Sequence, residues 1–288
     1  MVIDKESNVV YFSDLIQTGN NYKNAFERVR PVLEKHQIDY RFLKETKDIW
    51  CRDYLPIQKG ENNFVQFRYE PSYLKEELEL QSDPSLVLPA NNIKARFSGI
   101  NLDGGNVIRW SDKVIMTSRI FAENTGADKN ELLRELKDLL EVDVLLIPDI
   151  REDMTGHADG HLRFVDNKTV LVNQLNNEYK YWREGFLKMI RQAGLNYVEM
   201  PWFTHKDKLH KNTAIGSYVN YLEIGNLIIF PIFDLPGNLD TRAVETIKAV
   251  FPDRIIETVN INEIASEGGL LNCVSWTIKE NNSNTSQQ

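Results

Sequence analysis

Four short runs hold most of the groups able to do acid, base or nucleophilic chemistry: DIWCRD at 48–53, DGGN at 103–106, GHADGH at 156–161 and EGGLLNC at 267–273. In the last run two glycines allow the backbone to approach a ligand, and Cys273 follows at the start of an expected strand over 274–278. An accessible thiol is one reading; a buried cysteine packing as a small hydrophobe is the bland one. Cys51 has the same bland reading, and its neighbour Trp50 makes it a core or wall residue. In the third run an extended backbone would put His157 and Asp159 on one face, giving an imidazole and a carboxylate in one cleft. His161 is an alternative to His157 in that role, and a solvated loop is the alternative to both. His36, His205 and His210 sit among polar or helical surroundings and read as surface residues. In the first run Trp50 and Asp53 pair an aromatic wall with a carboxylate, which suits a flat delocalised cation, whereas an Arg52–Asp53 ion pair beside a core Trp would be purely structural. Asp103 before two glycines can begin a tight turn.

These runs lie far apart, so the elements between them must bring them together. Val9, Val65, Val114, Val170 and Leu227 each mark a β-branched or aliphatic strand, at intervals of 56, 49, 56 and 57 residues. Amphipathic stripes follow the later ones: Trp182, Phe186, Leu187 and Ile190 before Gly194; Leu132, Leu133, Leu136, Leu139 and Leu140; Ala243, Val244, Ile247 and Val250, with Asp240 as an expected N-cap. The first helix, near 22–36, should be kinked or shortened by Pro31, and the second unit shows no full helix. Five α/β units of this size imply a ring whose inner strand ends converge on a central cleft.

Bulk properties narrow the function. The chain has 288 residues, 42% hydrophobic, enough for a substantial core without staples. Two cysteines and a start without a basic, apolar leader point to a reduced, cytoplasmic protein. The most apolar stretch, 222–233, is short and broken by Gly225, Asn226 and Pro231, so no membrane span is expected. With 34 Lys and Arg against 42 Asp and Glu, the net charge of -8 disfavours nucleic acid and mildly favours cations. Zinc is disfavoured because only His157 and His161 have ligand-like spacing and no thiolate pair accompanies them. A cysteine protease is disfavoured because nearby carboxylates would destabilise its oxyanion.

Taken in order, the four runs resemble the guanidino-group modifying enzymes of the pentein superfamily, nearest the branch of agmatine deiminases and bacterial peptidylarginine deiminases. W-x-R-D-x-x-P is matched by Trp50, Arg52, Asp53 and Pro56, and G-H-x-D-x-x-x-R-F by Gly156, His157, Asp159, Arg163 and Phe164. The terminal G-G-G-x-x-H-C is matched by Gly268, Gly269 and Cys273, with Glu267 in place of its first Gly and Asn272 in place of its His. Ser217 to Asn220, Pro231, Phe251 and Pro252 also fit that branch. The resemblance implies a five-bladed α/β propeller over a single catalytic domain at 1–279, followed by a disordered polar tail at 280–288. It also implies Cys273 as nucleophile, His157 as general acid and base, and Asp53 and Asp159 as the carboxylates that grip the guanidinium. Asp103 falls where the family has a glutamate that orients the histidine, and Trp50, Gly269 and Asn272 are expected beside the substrate. The expected reaction releases ammonia through a covalent thiouronium without metal or organic cofactor. Its partner is a small cationic guanidine, agmatine first, with a homo-oligomer allowed. Deimination of peptidyl-arginine or another arginine derivative, amidino transfer, and a silent ligand-binding pentein are the alternatives.

Overall fold

The computed structural model describes residues 1–205 and 213–281. His210, and the expected polar tail from position 282 on, lie outside the described residues. Among the described residues fifteen strands form: β1 (Val9–Ser13), β2 (Asp39–Leu43), β3 (Ile57–Gly60), β4 (Asn63–Arg68), β5 (Arg96–Asn101), β6 (Ile108–Arg109), β7 (Lys113–Thr117), β8 (Asp143–Ile147), β9 (Leu162–Asp166), β10 (Thr169–Asn173), β11 (Asn196–Met200), β12 (Leu222–Ile224), β13 (Leu227–Ile232), β14 (Ile255–Asn260) and β15 (Trp276–Ile278). They make five three-stranded sheets, ordered β15-β1-β2, β3-β4-β5, β6-β7-β8, β9-β10-β11 and β12-β13-β14. In each sheet the middle strand runs antiparallel to one neighbour and parallel to the strand that follows it in sequence. Parallel neighbours need a crossover. Helices at Asn20–Lys35, Pro84–Ala90, Lys129–Leu140, Lys180–Ala193 and Asp240–Val250 supply one for each sheet.

The five middle strands fall on the five repeated segments of the sequence, so the unit is ββαβ and the architecture is a five-bladed α/β propeller. The short 49-residue interval belongs to the second blade, whose crossover helix has only 7 residues. The first blade is completed by the far end of the chain: β15 pairs with β1 through Val9↔Ile278, Val10↔Thr277 and Tyr11↔Trp276. The strands β6, β12 and β15 are buried throughout, while β8, β11 and β14 are largely exposed or half-buried. The former line the axis and the latter face outward. The amphipathic stripes bury against the sheets, with Trp182, Phe186, Leu136 and Ile247 fully enclosed. Gly194 ends its helix in the left-handed region at φ 64°.

Several local expectations are corrected. The helix at 20–35 is not cut short at Pro31, which lies inside it. Pro31 is exposed, and the buried Phe26, Val29 and Leu33 hold the helix although Pro31 donates no backbone hydrogen bond. Asp240 is the first helical residue and not the cap; its carboxylate accepts from the N–H groups of Phe233 and Asp234 and from the Tyr218 hydroxyl. The last strand begins at Trp276, leaving Cys273 in the turn before it. Residues 157–161 are not an extended strand: Ala158–Gly160 is a single 3-10 turn, entered through Gly156 at φ 64°.

Candidate active site

The five links that carry the chain from one blade to the next meet at one place. Their mutual contacts show it: Arg52 N–H donates to the Cys273 carbonyl at 3.2 Å, Gly105 N–H to Asp53 Oδ1 at 3.0 Å, and Cys273 N–H to Asn220 Oδ1 at 3.3 Å. The links contribute Asp53, Asp103, His157 with Asp159, Asn220, and Asn272 with Cys273 in chain order.

His157 lies between two carboxylates. Its Nε2 is 2.8 Å from Asp103 Oδ2, and its Nδ1 is 3.6 Å from Asp53 Oδ1. Tyr73 donates its hydroxyl to the same Asp103 oxygen at 3.1 Å and sets its ring edge-on to the imidazole. Burial opposes charge on His157, but the Asp53 charge and the Asp103 hydrogen bond outweigh it and hold the imidazole's pKa well above 6.5. Asp53, Asp103, His157 and Asp159 are all buried, whereas Cys273 is partly exposed. Gly105 makes the closeness of Asp53 and His157 possible. A β-carbon there would stand 2.5 Å from His157 Nδ1 and 2.6 Å from Asp53 Oδ1.

Cys273 Sγ stands 3.8 Å from Asp159 Oδ2 and 3.4 Å from Asn220 Oδ1. Asn272 Nδ2 donates to that same Asp159 oxygen at 2.7 Å, and Asn220 Nδ2 donates to the Asp159 carbonyl at 3.2 Å. Burial raises the Cys273 thiol well above its usual range, and the charges of Asp159 and Asp53 raise it further. Burial also raises Asp53, with Asp103 and Asp159 adding repulsion that His157 only partly offsets. Ionising Asp53 in this buried cluster is disfavoured, and a cation entering beside the thiol would relieve that penalty.

The structure brings together Cys273, His157, Asp53, Asp103 and Asp159, and puts Asn272 against Asp159. Gly269 packs on the partly exposed Trp50, whose ring carbon Cζ3 would lie 2.2 Å from any β-carbon there. Arg52 does not pair with Asp53; its Nε donates to the Asn272 carbonyl at 3.3 Å. Cys51 is fully buried, with burial holding its thiol above the usual range. His161 turns away from the thiol, lying 3.7 Å from Asp153 and 3.6 Å from Glu178 with its ring against Trp182. His36 contacts Glu257 and is half-buried rather than fully on the surface. Among the described residues no group of His, Cys, Asp and Glu is arranged to hold a metal ion, and no helix is long and apolar enough to cross a membrane.

Residue-by-residue reading missed Tyr73 and the role of Asn220. Asn220 could have been found: four blade links carry a chemically active residue, so the fifth, between β11 and β12, should be searched for another.

A family model described as Porphyromonas-type peptidyl-arginine deiminase matches residues 7–278. A Mycoplasma mycoides protein bearing the name "Putative agmatine deiminase" is 42% identical over 206 residues, covering 60% of this chain and 56% of that protein. The agmatine deiminase of Pseudomonas putida is 26% identical over 206 residues, covering 61% and 54%. The chain thus matches little more than half the length of these relatives. A substrate-bound agmatine deiminase from C. jejuni shares the fold with a TM-score of 0.75 at 15% identity, over 96% of this chain and 95% of that one.

Proposed function

This chain belongs to the Porphyromonas-type peptidyl-arginine deiminase family, a branch of the pentein fold, and on that premise we propose that it hydrolyses the guanidinium group of agmatine to a ureido group, releasing ammonia. The observation that carries this reading is the set of contacts at the blade links: a thiol 3.8 Å from Asp159 and an imidazole 3.6 Å from Asp53, with both acids buried.

A guanidinium carbon is a weak electrophile because its charge is spread over three nitrogens, so orientation and a strong nucleophile are both required. Asp53 and Asp159 accept charge-assisted hydrogen bonds from the guanidinium nitrogens and fix its plane. In the free site Cys273 stays a thiol. The arriving cation cancels the acids' field, the thiol loses its proton to solvent, and the thiolate forms a bond to the guanidinium carbon. His157, already protonated, gives its proton to one nitrogen of the tetrahedral adduct; the C–N bond breaks and ammonia leaves. The neutral imidazole then takes a proton from water, whose oxygen attacks the thiouronium carbon. The C–S bond breaks with its electron pair on sulfur, the added hydroxyl gives up its proton to that thiolate, and the neutral ureido product departs from the regenerated Cys273 thiol. Asp103, steadied by Tyr73, sets the ring's orientation and favours the protonated form.

Agmatine is preferred over free arginine because it carries no carboxylate of its own; a like charge brought near three buried acids costs at least about tenfold. Ammonia release from agmatine, free arginine and arginyl peptides tests this. The expected order puts agmatine first, and no release from any of the three would end the reading. The family description favours one second reading, a peptidyl-arginine substrate, in which arginyl peptides lead the series.

A further inference from the structure

Beneath the site, the axial strands place polar residues in the core. Arg109 of β6, Arg163 of β9, Glu223 of β12 and Thr277 of β15 pair with Val114, Leu171, Ile228 and Val10 of the middle strands, and all four are buried. Asp4, from the turn at Asp4–Glu6, enters this space. It bonds Arg109, accepts from Arg163 Nη2 at 2.7 Å and accepts from Thr277 Oγ1 at 2.9 Å. Glu223 is bound by Arg254. Arg52 reaches the same space from the first blade link, 5% exposed, with its Nε on the Asn272 carbonyl. Its Nη2 is buried with no hydrogen-bond partner. With Glu223 bound by Arg254, the three buried guanidiniums of Arg52, Arg109 and Arg163 are left with Asp4 as the remaining carboxylate of this space. An unpaired buried charge is costly unless something compensates it.

A cavity lies among these groups, bordered by Asp4, Arg52, Arg109, Arg163, Glu223 and Asn272. It leaves about 20 Å³ for the centre of a water-sized occupant, room for one small particle and not for a tetrahedral oxyanion. We propose that this cavity holds a monovalent anion of chloride's size, bound by the guanidiniums of Arg52, Arg109 and Arg163. The anion would balance the excess charge and give Arg52 the acceptor it lacks. It would also brace the active site from below, since Arg52 holds the Asn272 backbone and the Asn272 side chain holds Asp159. The proposal stands apart from the deiminase reading and fails independently of it.

Crystals of the full chain grown in sodium bromide provide the test, read by anomalous diffraction at the bromine edge. The expected result is a bromide within hydrogen-bond distance of Arg52 and of Arg109 or Arg163. A water in the cavity, or bromide only at surface cations, would overturn the proposal. A second readout is Tm in sodium chloride against sodium gluconate at equal ionic strength, where chloride should raise it by about 2 °C. Both results are required, so a Tm equal in the two salts also rejects the site.

Discussion

Cys273 should be a poor nucleophile toward neutral reagents and a good one toward cations. Burial and then the charges of Asp159 and Asp53 keep its thiol pKa high, so the thiolate is scarce at neutral pH in the free protein. Alkylation by iodoacetamide should accordingly be slow at pH 7 and still rising beyond pH 9, whereas a haloacetamidine, itself a cation, should label Cys273 readily at neutral pH. Intact-mass time courses separate the two, and an iodoacetamide rate that levels off below pH 8 would contradict the electrostatic reading. Tyr73 offers a smaller effect. Tyr73→Phe removes one hydrogen bond to Asp103 and should lower kcat about fivefold, the worth of a single bond of this kind; a steady-state assay checks it. The sequence offered Cys273 and His157 as candidates, a thiol four residues after Gly269 and an imidazole next to Gly156 and near Asp159, and only the order of the four runs assigned them roles. Tyr73 was not legible: it sits in the short turn at Ser72–Leu74, and only the folding of the second blade against the third carries it to His157.

At the scale of elements, the turns that present the chemistry matter more than the strands that precede them. Gly105→Ala would drive a methyl group into both His157 and Asp53. It should lower kcat/KM by more than about a hundredfold, because a displacement of an ångström at the reacting groups costs that much, while the circular dichroism spectrum remains unchanged. The turn before His157 carries a pH dependence. Asp153 accepts the N–H groups of Thr155 and Gly156, and it lies beside buried His161, which also faces Glu178. Burial works against charge on His161, but these two acids raise its pKa from 6.5 to about 10. A folded pKa above the unfolded one means the stabilisation is complete below pH 6.5 and is lost as pH rises towards 10. Tm should fall across that window, and His161→Gln should flatten the fall; a Tm profile identical to that of the unaltered protein would reject this role. The strands and amphipathic helices were readable from their periods. The 3-10 turn at Ala158–Gly160 was not, since His and Asp two residues apart fit an extended segment equally well, and only Gly156 in the left-handed region decides the matter.

For the molecule as a whole, the repeat in the sequence is the fold: five middle strands at near-regular intervals become five blades, and the links between blades become the site. What the repeat could not convey is the closure, where β15 crosses from the chain's end to pair with β1 and brings Cys273 to the acids of the earlier links. Covalent chemistry at that junction is the central claim. Rapid acid quenching during turnover of agmatine, followed by intact-mass measurement and peptide mapping, tests it directly. A species heavier by agmatine less ammonia, located on Cys273 of the unaltered protein during turnover and absent from Cys273→Ala, is the predicted result. Ammonia release at the unaltered rate by Cys273→Ala, with no such species formed, would contradict it.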